Sequence, residues 1–185
     1  MIPKWNLSGV LPPFVGASPV VGGLVGASPY IATILEFAQQ FCVSDRRIRL
    51  FQDLLDYRRA LLAVGLSGRQ WLDGSFCEDV ERIRRRAPGD IDVVNLLTVA
   101  PGTNPAALLA ANPDLFDWAK VKSTYHCDAY HVDMGRPGKD TYRQIAYYLG
   151  LFSHQKATSL WKGMVEVPLP SDDDQAKAFI ATIPP

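Results

Sequence analysis

The chain has 185 residues, of which 48% are hydrophobic and 21% are charged, and its 19 basic residues balance its 19 acidic ones. This length is sufficient for one domain with a substantial core, and the composition is ordinary for a globular protein. The balanced charge gives no sign of a nucleic-acid partner, and the lack of an apolar run long enough to cross a bilayer excludes a membrane-spanning protein.

The cysteines indicate a reducing compartment. There are three of them, and none belongs to a CxxC pair: Cys42, Cys77 and Cys127. An odd number of cysteines without metal-site spacing is typical of reduced thiols in a cytoplasmic protein. The N-terminus has only Lys4 before its apolar stretch, and Pro12 and Pro13 interrupt that stretch, so it does not resemble a signal peptide.

The first 27 residues are rich in Gly, Pro, Val and Ala, and we expect them to form an extended arm on the surface of one domain at residues 28–185. The sequence VGASP occurs at residues 15–19 and again at residues 25–29. In the second copy, Ser28 is a good N-cap and Pro29 a good first helical residue. This pattern predicts a helix from Tyr30 to about Cys42.

A second, longer helix is predicted from Asp45 to about Val64, where apolar residues recur at helical spacing. Much of its remaining surface is basic, with five arginines: Arg46, Arg47, Arg49, Arg58 and Arg59. We favour a solvated helix face for these arginines over a contact with nucleic acid.

The centre of the chain carries the residues most suited to chemistry. A short buried strand from Gln70 breaks at the Gly-Ser turn formed by Gly74 and Ser75, and a second strand beginning at Asp90 carries another carboxylate at Asp92. Side chains two residues apart on a strand point to the same face, so these two carboxylates repel each other. Mg²⁺ relieves such repulsion, because it prefers hard oxygen ligands and retains sites for phosphate oxygens.

The remaining elements complete an α/β (α+β) pattern of a mixed sheet with helices packed on it. After a charged loop at residues 76–89 and the strand from Asp90, we expect the following elements: helices at 106–111 and up to about 122, a strand at 125–132, a helix at 139–149, a strand at 163–169 and a last helix from about 171 to 180.

A strand that ends in Gly-Ser, followed by a loop and Asp-hydrophobic-Asp-hydrophobic, resembles the signature of the DNA polymerase β-like nucleotidyltransferase superfamily. The matching positions are Leu72, Gly74, Ser75, Asp90, Asp92 and Val93. The segments at residues 2–6 and 71–76 also look like an uncharacterised prokaryotic group of small nucleotidyltransferase-like proteins. The loop between Ser75 and Asp90 is somewhat longer than the commonest spacing in the superfamily.

The resemblance implies a third carboxylate on a later strand, next to the first two. We choose Asp128, because it lies in the middle of a predicted strand, where a buried charge needs a reason. The rival is Asp133, which lies at the end of that strand, where an ordinary turn-forming aspartate is expected.

The function that the resemblance implies is transfer of a nucleoside monophosphate from a nucleoside triphosphate, with ATP as the first candidate, to an acceptor hydroxyl. Asp90, Asp92 and Asp128 would hold two Mg²⁺ ions, and Gly74 and Ser75 would bind the phosphates. The acceptor is RNA, a protein or a small molecule, and a toxin–antitoxin or anti-phage setting is compatible. The alternative is a catalytically silent nucleotide-binding or protein-interaction module on the same fold.

The sequence also contains other charged residues and histidines that could belong to a site. The arginines at residues 82–86 contact either phosphate or solvent. We expect Lys139, Arg143 and Lys162 to be solvated surface cations, and Asp73 to brace the turn. A zinc site formed by His126, His131 and a cysteine is disfavoured, because the spacing matches no common zinc pattern.

Overall fold

A computed structural model of the protein describes residues 1–16, 26–135 and 138–184. In these ranges the chain forms a five-stranded mixed sheet with the strand order β1-β5-β2-β3-β4. The strands are β1 (Tyr30–Ile31), β2 (Leu66–Asp73), β3 (Ile91–Val99), β4 (Cys127–Asp133) and β5 (Val165–Leu169). The predicted α/β class is confirmed.

Helices connect and cover the strands. They are α1 (Ile34–Phe41), α2 (Asp45–Ala63), α3 (Val80–Arg84), α4 (Pro105–Ala111), α5 (Trp118–Tyr125), α6 (Lys139–Phe152) and α7 (Asp173–Ala181). Two 3₁₀ turns, Gly74–Cys77 and Pro113–Leu115, lie between them. The segment expected to be a charged loop therefore contains a 3₁₀ turn and a short helix, which bury Phe76, Cys77 and Val80.

The sheet is organised around β2, which pairs antiparallel with both β3 and β5. Strand β4 then pairs parallel with β3. Apolar side chains alternate along the strands and form a core on each face: Leu72 and Val93 belong to the larger core, and Trp71 and Val94 belong to the smaller one. This topology brings the end of β2 and the beginnings of β3 and β4 to the same edge of the molecule.

The helix predicted to begin at Ser28 and Tyr30 begins later than expected. Tyr30 and the next residue form β1, where the Tyr30 amide donates to the carbonyl of Met164. Helix α1 is instead capped by Thr33 and Glu36, whose side chains accept each other's backbone N–H groups in a capping box. Pairing with a distant strand overrode the local signal at Ser28.

The described part of the N-terminal segment, residues 1–16, is tied to the domain by buried apolar side chains and by hydrogen bonds. Val10 and Leu11 are almost fully buried, and the indole of Trp5 donates to the carbonyl of Cys77 across 2.7 Å. The amide of Gly163 donates to the carbonyl of Leu11. Residues 17–25 of the predicted arm, which include most of the first VGASP copy, lie outside the described residues.

The prediction of a solvated arginine face on α2 is wrong for two of its five arginines, because Arg47 and Arg58 are fully buried. The guanidinium of Arg47 donates to Glu81 and to two backbone carbonyls. Arg58 makes a bidentate contact with Asp173 and donates to Gln70 and to the carbonyl of Pro168. Each guanidinium thus uses its several donors to join segments that are distant in sequence.

The three cysteines are buried and unpaired. None of the helices in the described ranges combines the length and the apolar character that a bilayer crossing requires.

Candidate functional site

Three carboxylates lie side by side across the sheet. Asp73 at the end of β2 is paired in register with Asp92 of β3, and Asp92 is paired with Asp128 of β4. Residues directly opposite each other in neighbouring strands project from the same face. Asp90 lies two residues before Asp92, and it shares an ion-pair partner, Lys122, with Asp128. The structure therefore places Asp90, Asp92 and Asp128 near one another and adds Asp73 to them.

The Gly-Ser turn lies directly against this row. Gly74 has a φ of +76°, and a Cβ atom built on it would come within 1.6 Å of Oδ2 of Asp92. Gly74 is required here both by its left-handed conformation and by the close approach of the Asp92 carboxylate. Ser75 follows in the 3₁₀ turn and is partly exposed.

Helix α5 places a cation among the carboxylates. The Nζ atom of Lys122 lies 2.9 Å from Oδ2 of Asp90 and 3.1 Å from Oδ2 of Asp128. Trp118, one turn earlier on the same helix, donates its indole N–H to Oδ1 of Asp128. The ammonium also lies 5.2 Å from the centre of the Trp118 ring, within the range of a cation–π contact. Both oxygens of Asp128 thus accept hydrogen bonds from α5.

A second lysine, Lys162, contacts the carboxylates on either side of the 3₁₀ turn at Gly74–Cys77. Lys162 was expected to be a solvated cation, but its side chain is only 4% exposed. Its Nζ atom lies 2.9 Å from Oδ1 of Asp73 and 3.1 Å from Oε1 of Glu78. The amide of Gln155 donates to the other oxygen of Glu78 across 2.8 Å. Burial of the lysine is tolerated because two carboxylates compensate its charge.

The site carries more negative than positive charge, and this imbalance falls on Asp92. Burial and the charges of Asp73, Asp90 and Asp128 together raise the pKa of Asp92 to about 7, although Lys162 opposes the change. Burial likewise raises the pKa of Asp73 to about 6, although Lys162 opposes that change. Of the lysines and arginines in the described ranges, none lies within ion-pair distance of Asp92. Asp92 is therefore the carboxylate most in need of a proton or a cation.

The rival acidic residue lies elsewhere. Asp133 is exposed at the far end of β4, where it is paired with Leu97, and its carboxylate accepts a hydrogen bond from the amide of Gly135. This is the turn role that its position predicts. Of the loop arginines, Arg84 lies 3.4 Å from Glu78 at the rim of the site, whereas the side chain of Arg86 donates to the carbonyl of Ala87.

The two histidines of the disfavoured zinc site point to different partners. His126 contacts Asp53 across 2.9 Å, and His131 contacts the hydroxyl of Tyr57 across 2.9 Å. Burial lowers the pKa of His131 to about 4, so that this ring is neutral near pH 7. Within the described part of the chain, no three His, Cys, Asp or Glu side chains form a ready-made metal site.

The donor atoms at the acidic row nevertheless suit a divalent cation. They are carboxylate oxygens, which Mg²⁺ prefers, and the ammonium of Lys122 already occupies a cation position between Asp90 and Asp128. Asp92 adds a carboxylate without a described cationic partner. Asp90, Asp92 and Asp128 are thus the residues that could hold Mg²⁺.

The sequence interpretation missed Lys122 and Trp118 and assigned Lys162 to the surface. Trp118 and Lys122 are four residues apart in a predicted helix, so their shared face was detectable, but the strand that this face covers was not. Lys162 lies in an irregular segment between α6 and β5, where no periodic pattern reports burial.

The mixed sheet, with a row of carboxylates where β2 ends and β3 and β4 begin, defines an α/β protein with an acidic site beside a glycine turn. Residues 3–168 match the model of a family described as being of unknown function, DUF6932, and the chain belongs to that family. No curated protein and no solved structure matches the chain.

Proposed function

We propose that this protein is a metal-dependent nucleotidyltransferase. It would move a nucleoside monophosphate from a nucleoside triphosphate, with ATP as the first candidate, to a hydroxyl of RNA, a protein or a small molecule. The hydroxyl oxygen would lose its proton and bond to the α-phosphorus as the α–β phosphoanhydride bond breaks and pyrophosphate leaves. The observation that carries the proposal is the register that sets Asp92 beside Asp128 while the backbone of Gly74 lies against the Asp92 carboxylate. The two halves of the motif, which are separated in sequence, meet in space.

Asp90, Asp92 and Asp128 are the residues that would hold Mg²⁺. When bound, the metal would supply stabilisation of the negative charge on the attacking and leaving oxygens. The excess of carboxylates around Asp92 supports this assignment, because a cation bound there removes a repulsion that the folded chain otherwise retains.

The turn after β2 is suited to a phosphate chain. Gly74 allows the backbone to approach the carboxylate row closely, and Ser75 presents a partly exposed hydroxyl next to it. Lys162 and Glu78 hold the preceding Asp73 in a buried network, which fixes the turn before any ligand arrives. Such preorganisation lowers the entropic cost of binding.

A second candidate function is a catalytically silent nucleotide-binding or protein-interaction module. The observation in its favour is the ammonium of Lys122, which already neutralises Asp90 and Asp128. In such a module these ion pairs would be purely structural.

The test is transfer of label from radioactive triphosphates in the presence of Mg²⁺ and cell extract. We expect the wild-type protein to label an acceptor, and Asp92→Asn to label none. Asp140→Asn, which removes an equal charge from an exposed position on α6, is the matched control and should retain transfer. Label in RNA, protein or a small molecule would each identify the acceptor class. Binding of the triphosphate without transfer to any acceptor would refute the enzyme and support the module.

A further inference from the structure

The cation between Asp90 and Asp128 belongs to the chain itself. Lys122 forms ion pairs with both carboxylates at 2.9 and 3.1 Å, and the Trp118 indole N–H engages the remaining oxygen of Asp128. Three of the carboxylate oxygens that the proposed function assigns to a divalent cation are therefore already engaged, one of Asp90 and both of Asp128.

Lys122 differs in this respect from the other lysine of the site. The side chain of Lys162 is 4% exposed, so moving its ammonium would leave the buried carboxylate of Asp73 without a cation and Glu78 paired with Arg84 at 3.4 Å. The side chain of Lys122 is 37% exposed, and Asp90 is 29% exposed. Its ammonium can move into water by rotation of its flexible stem, without opening the core.

An ammonium and a divalent cation cannot share the same two oxygens at close range, because the two positive charges repel each other. We infer that Lys122 is an internal competitor of the divalent cation: it neutralises Asp90 and Asp128 in the metal-free protein and must leave them when the metal binds. The inference rests on the proposed function, since it assigns a role to Lys122 at the same site. It makes Lys122 a determinant of metal affinity rather than a phosphate ligand.

The experiment measures binding of Mn²⁺ alone, without nucleotide, by isothermal titration calorimetry. Lys122→Met removes the ammonium and keeps a flexible apolar stem. We expect it to bind Mn²⁺ more tightly than wild type by about 5- to 150-fold, the usual range for coupled equilibria. Lys120→Met lies on the same helix at an exposed position and removes the same charge, so it isolates the effect of position from the effect of net charge. It should bind as wild type does.

A second measurement guards against a destabilised variant. Lys122→Met should have a lower melting temperature than wild type in EDTA, because Asp90 and Asp128 then lose their cation, and Mn²⁺ should raise its melting temperature more than that of wild type. If Lys122→Met does not fold, Lys122→Gln replaces it, because the amide still donates to one carboxylate and carries no charge. The same increase in Mn²⁺ affinity is expected.

The outcomes separate the inference from the function on which it rests. Equal or weaker Mn²⁺ affinity in the Lys122 variants, with binding still abolished by Asp92→Asn, would overturn the competitor role and leave the metal site standing. Equal gains in Lys120→Met and Lys122→Met would also overturn it, because net charge alone would then account for the change. Absence of Mn²⁺ binding in wild type and in every variant would refute the proposed metal-dependent function as well.

Discussion

Lys162 and Asp73 form an ion pair inside the protein, with 2.9 Å between Nζ and Oδ1 and with side chains that are 4% and 3% exposed. Glu78 shares the same ammonium. Because Asp73 is paired in register with Asp92, this buried pair is continuous with the candidate site. The stability of the fold and the geometry of the acidic row therefore depend on the same lysine.

Lys162→Met is expected to destabilise the protein by about 3–5 kcal/mol, because it leaves the buried Asp73 without its cation and removes the nearer of the two cations that Glu78 contacts. Urea denaturation measures the change in the free energy of unfolding. Lys156→Met removes an exposed lysine from the neighbouring segment and should leave that free energy nearly unchanged. A small effect of Lys162→Met, equal to that of the control, would mean that Asp73 and Glu78 are stable without the ammonium.

Gly74→Ala should destabilise the protein through backbone strain and through overlap with the Asp92 carboxylate. Comparison with Gly102→Ala separates the two effects. Gly74 and Gly102 both have positive φ angles, +76° and +84°, but a Cβ on Gly102 would meet open space, whereas one on Gly74 would overlap the Asp92 carboxylate. The strain common to both positions costs about 1–2 kcal/mol. We expect Gly74→Ala to cost more than Gly102→Ala in thermal or urea unfolding.

The excess cost of Gly74→Ala should depend on Asp92. In an Asp92→Ala background the carboxylate is absent, so the cost of Gly74→Ala should fall towards that of Gly102→Ala, with a coupling energy of about 0.5–3 kcal/mol. Equal costs in the two backgrounds would show that the carboxylate does not restrict position 74.

Asp92→Asn should stabilise the metal-free protein at high pH and lose this advantage as the pH falls. The pKa of Asp92 is raised from an ordinary value of 3.8 to about 7 in the folded protein, so the folded state binds this proton more tightly than the unfolded chain does. Wild-type stability therefore decreases between about pH 4 and pH 7 through this group, and the full penalty is present above pH 7. Asparagine carries no such penalty.

The expected advantage of Asp92→Asn is about 2–4 kcal/mol at pH 8 and close to zero at pH 4. Thermal melts in EDTA across this range measure it, with Asp140→Asn as the control for the loss of an exposed carboxylate. A difference between Asp92→Asn and wild type that does not vary with pH would contradict the shifted pKa. A destabilised Asp92→Asn would indicate that the carboxylate is held by a cation even without metal.

Arg58→Met and Arg59→Met should differ strongly although the residues are neighbours on α2. Arg58 is fully buried and joins Asp173, Gln70 and the carbonyl of Pro168, so its loss should cost about 3–5 kcal/mol. The side chain of Arg59 is 61% exposed and pairs with Asp56 in the adjacent turn, so its loss should cost less than about 1 kcal/mol. Urea denaturation of the two variants tests the difference, and similar costs would contradict the structural role of Arg58.

Local patterns were sufficient to predict much of the fold and the placement of the acidic residues on strands. Helix α2 was expected at Asp45–Val64 and is found at Asp45–Ala63, because its apolar stripe and its boundaries are local features. The paired carboxylates of Asp90 and Asp92 and the choice of Asp128 over Asp133 also rested on position within strands.

The missed features depend on contacts between distant segments. Tyr30 leaves its predicted helix because it pairs with β5, far along the sequence. Arg47 and Arg58 were assigned to solvent because they are charged, although both fall in the apolar stripe of α2 at helical spacing. Their acceptors lie in other elements, which the local sequence does not show. The same holds for Lys162, whose two carboxylate partners lie at the end of β2 and directly after the 3₁₀ turn that follows it.

Arg58 also affects how the chain can fold during its synthesis, because its acceptors lie far apart in the sequence. Its acceptors include the carbonyl of Pro168 and the carboxylate of Asp173, which emerge from the ribosome long after α2 and β2. A chain that ends before Asp173 lacks the bidentate acceptor of Arg58, and burial of a guanidinium without that partner is costly. We therefore expect the core between α2 and the sheet to close only after α7 has been made, and a ribosome that stalls before Asp173 to hold a chain with an unfinished core.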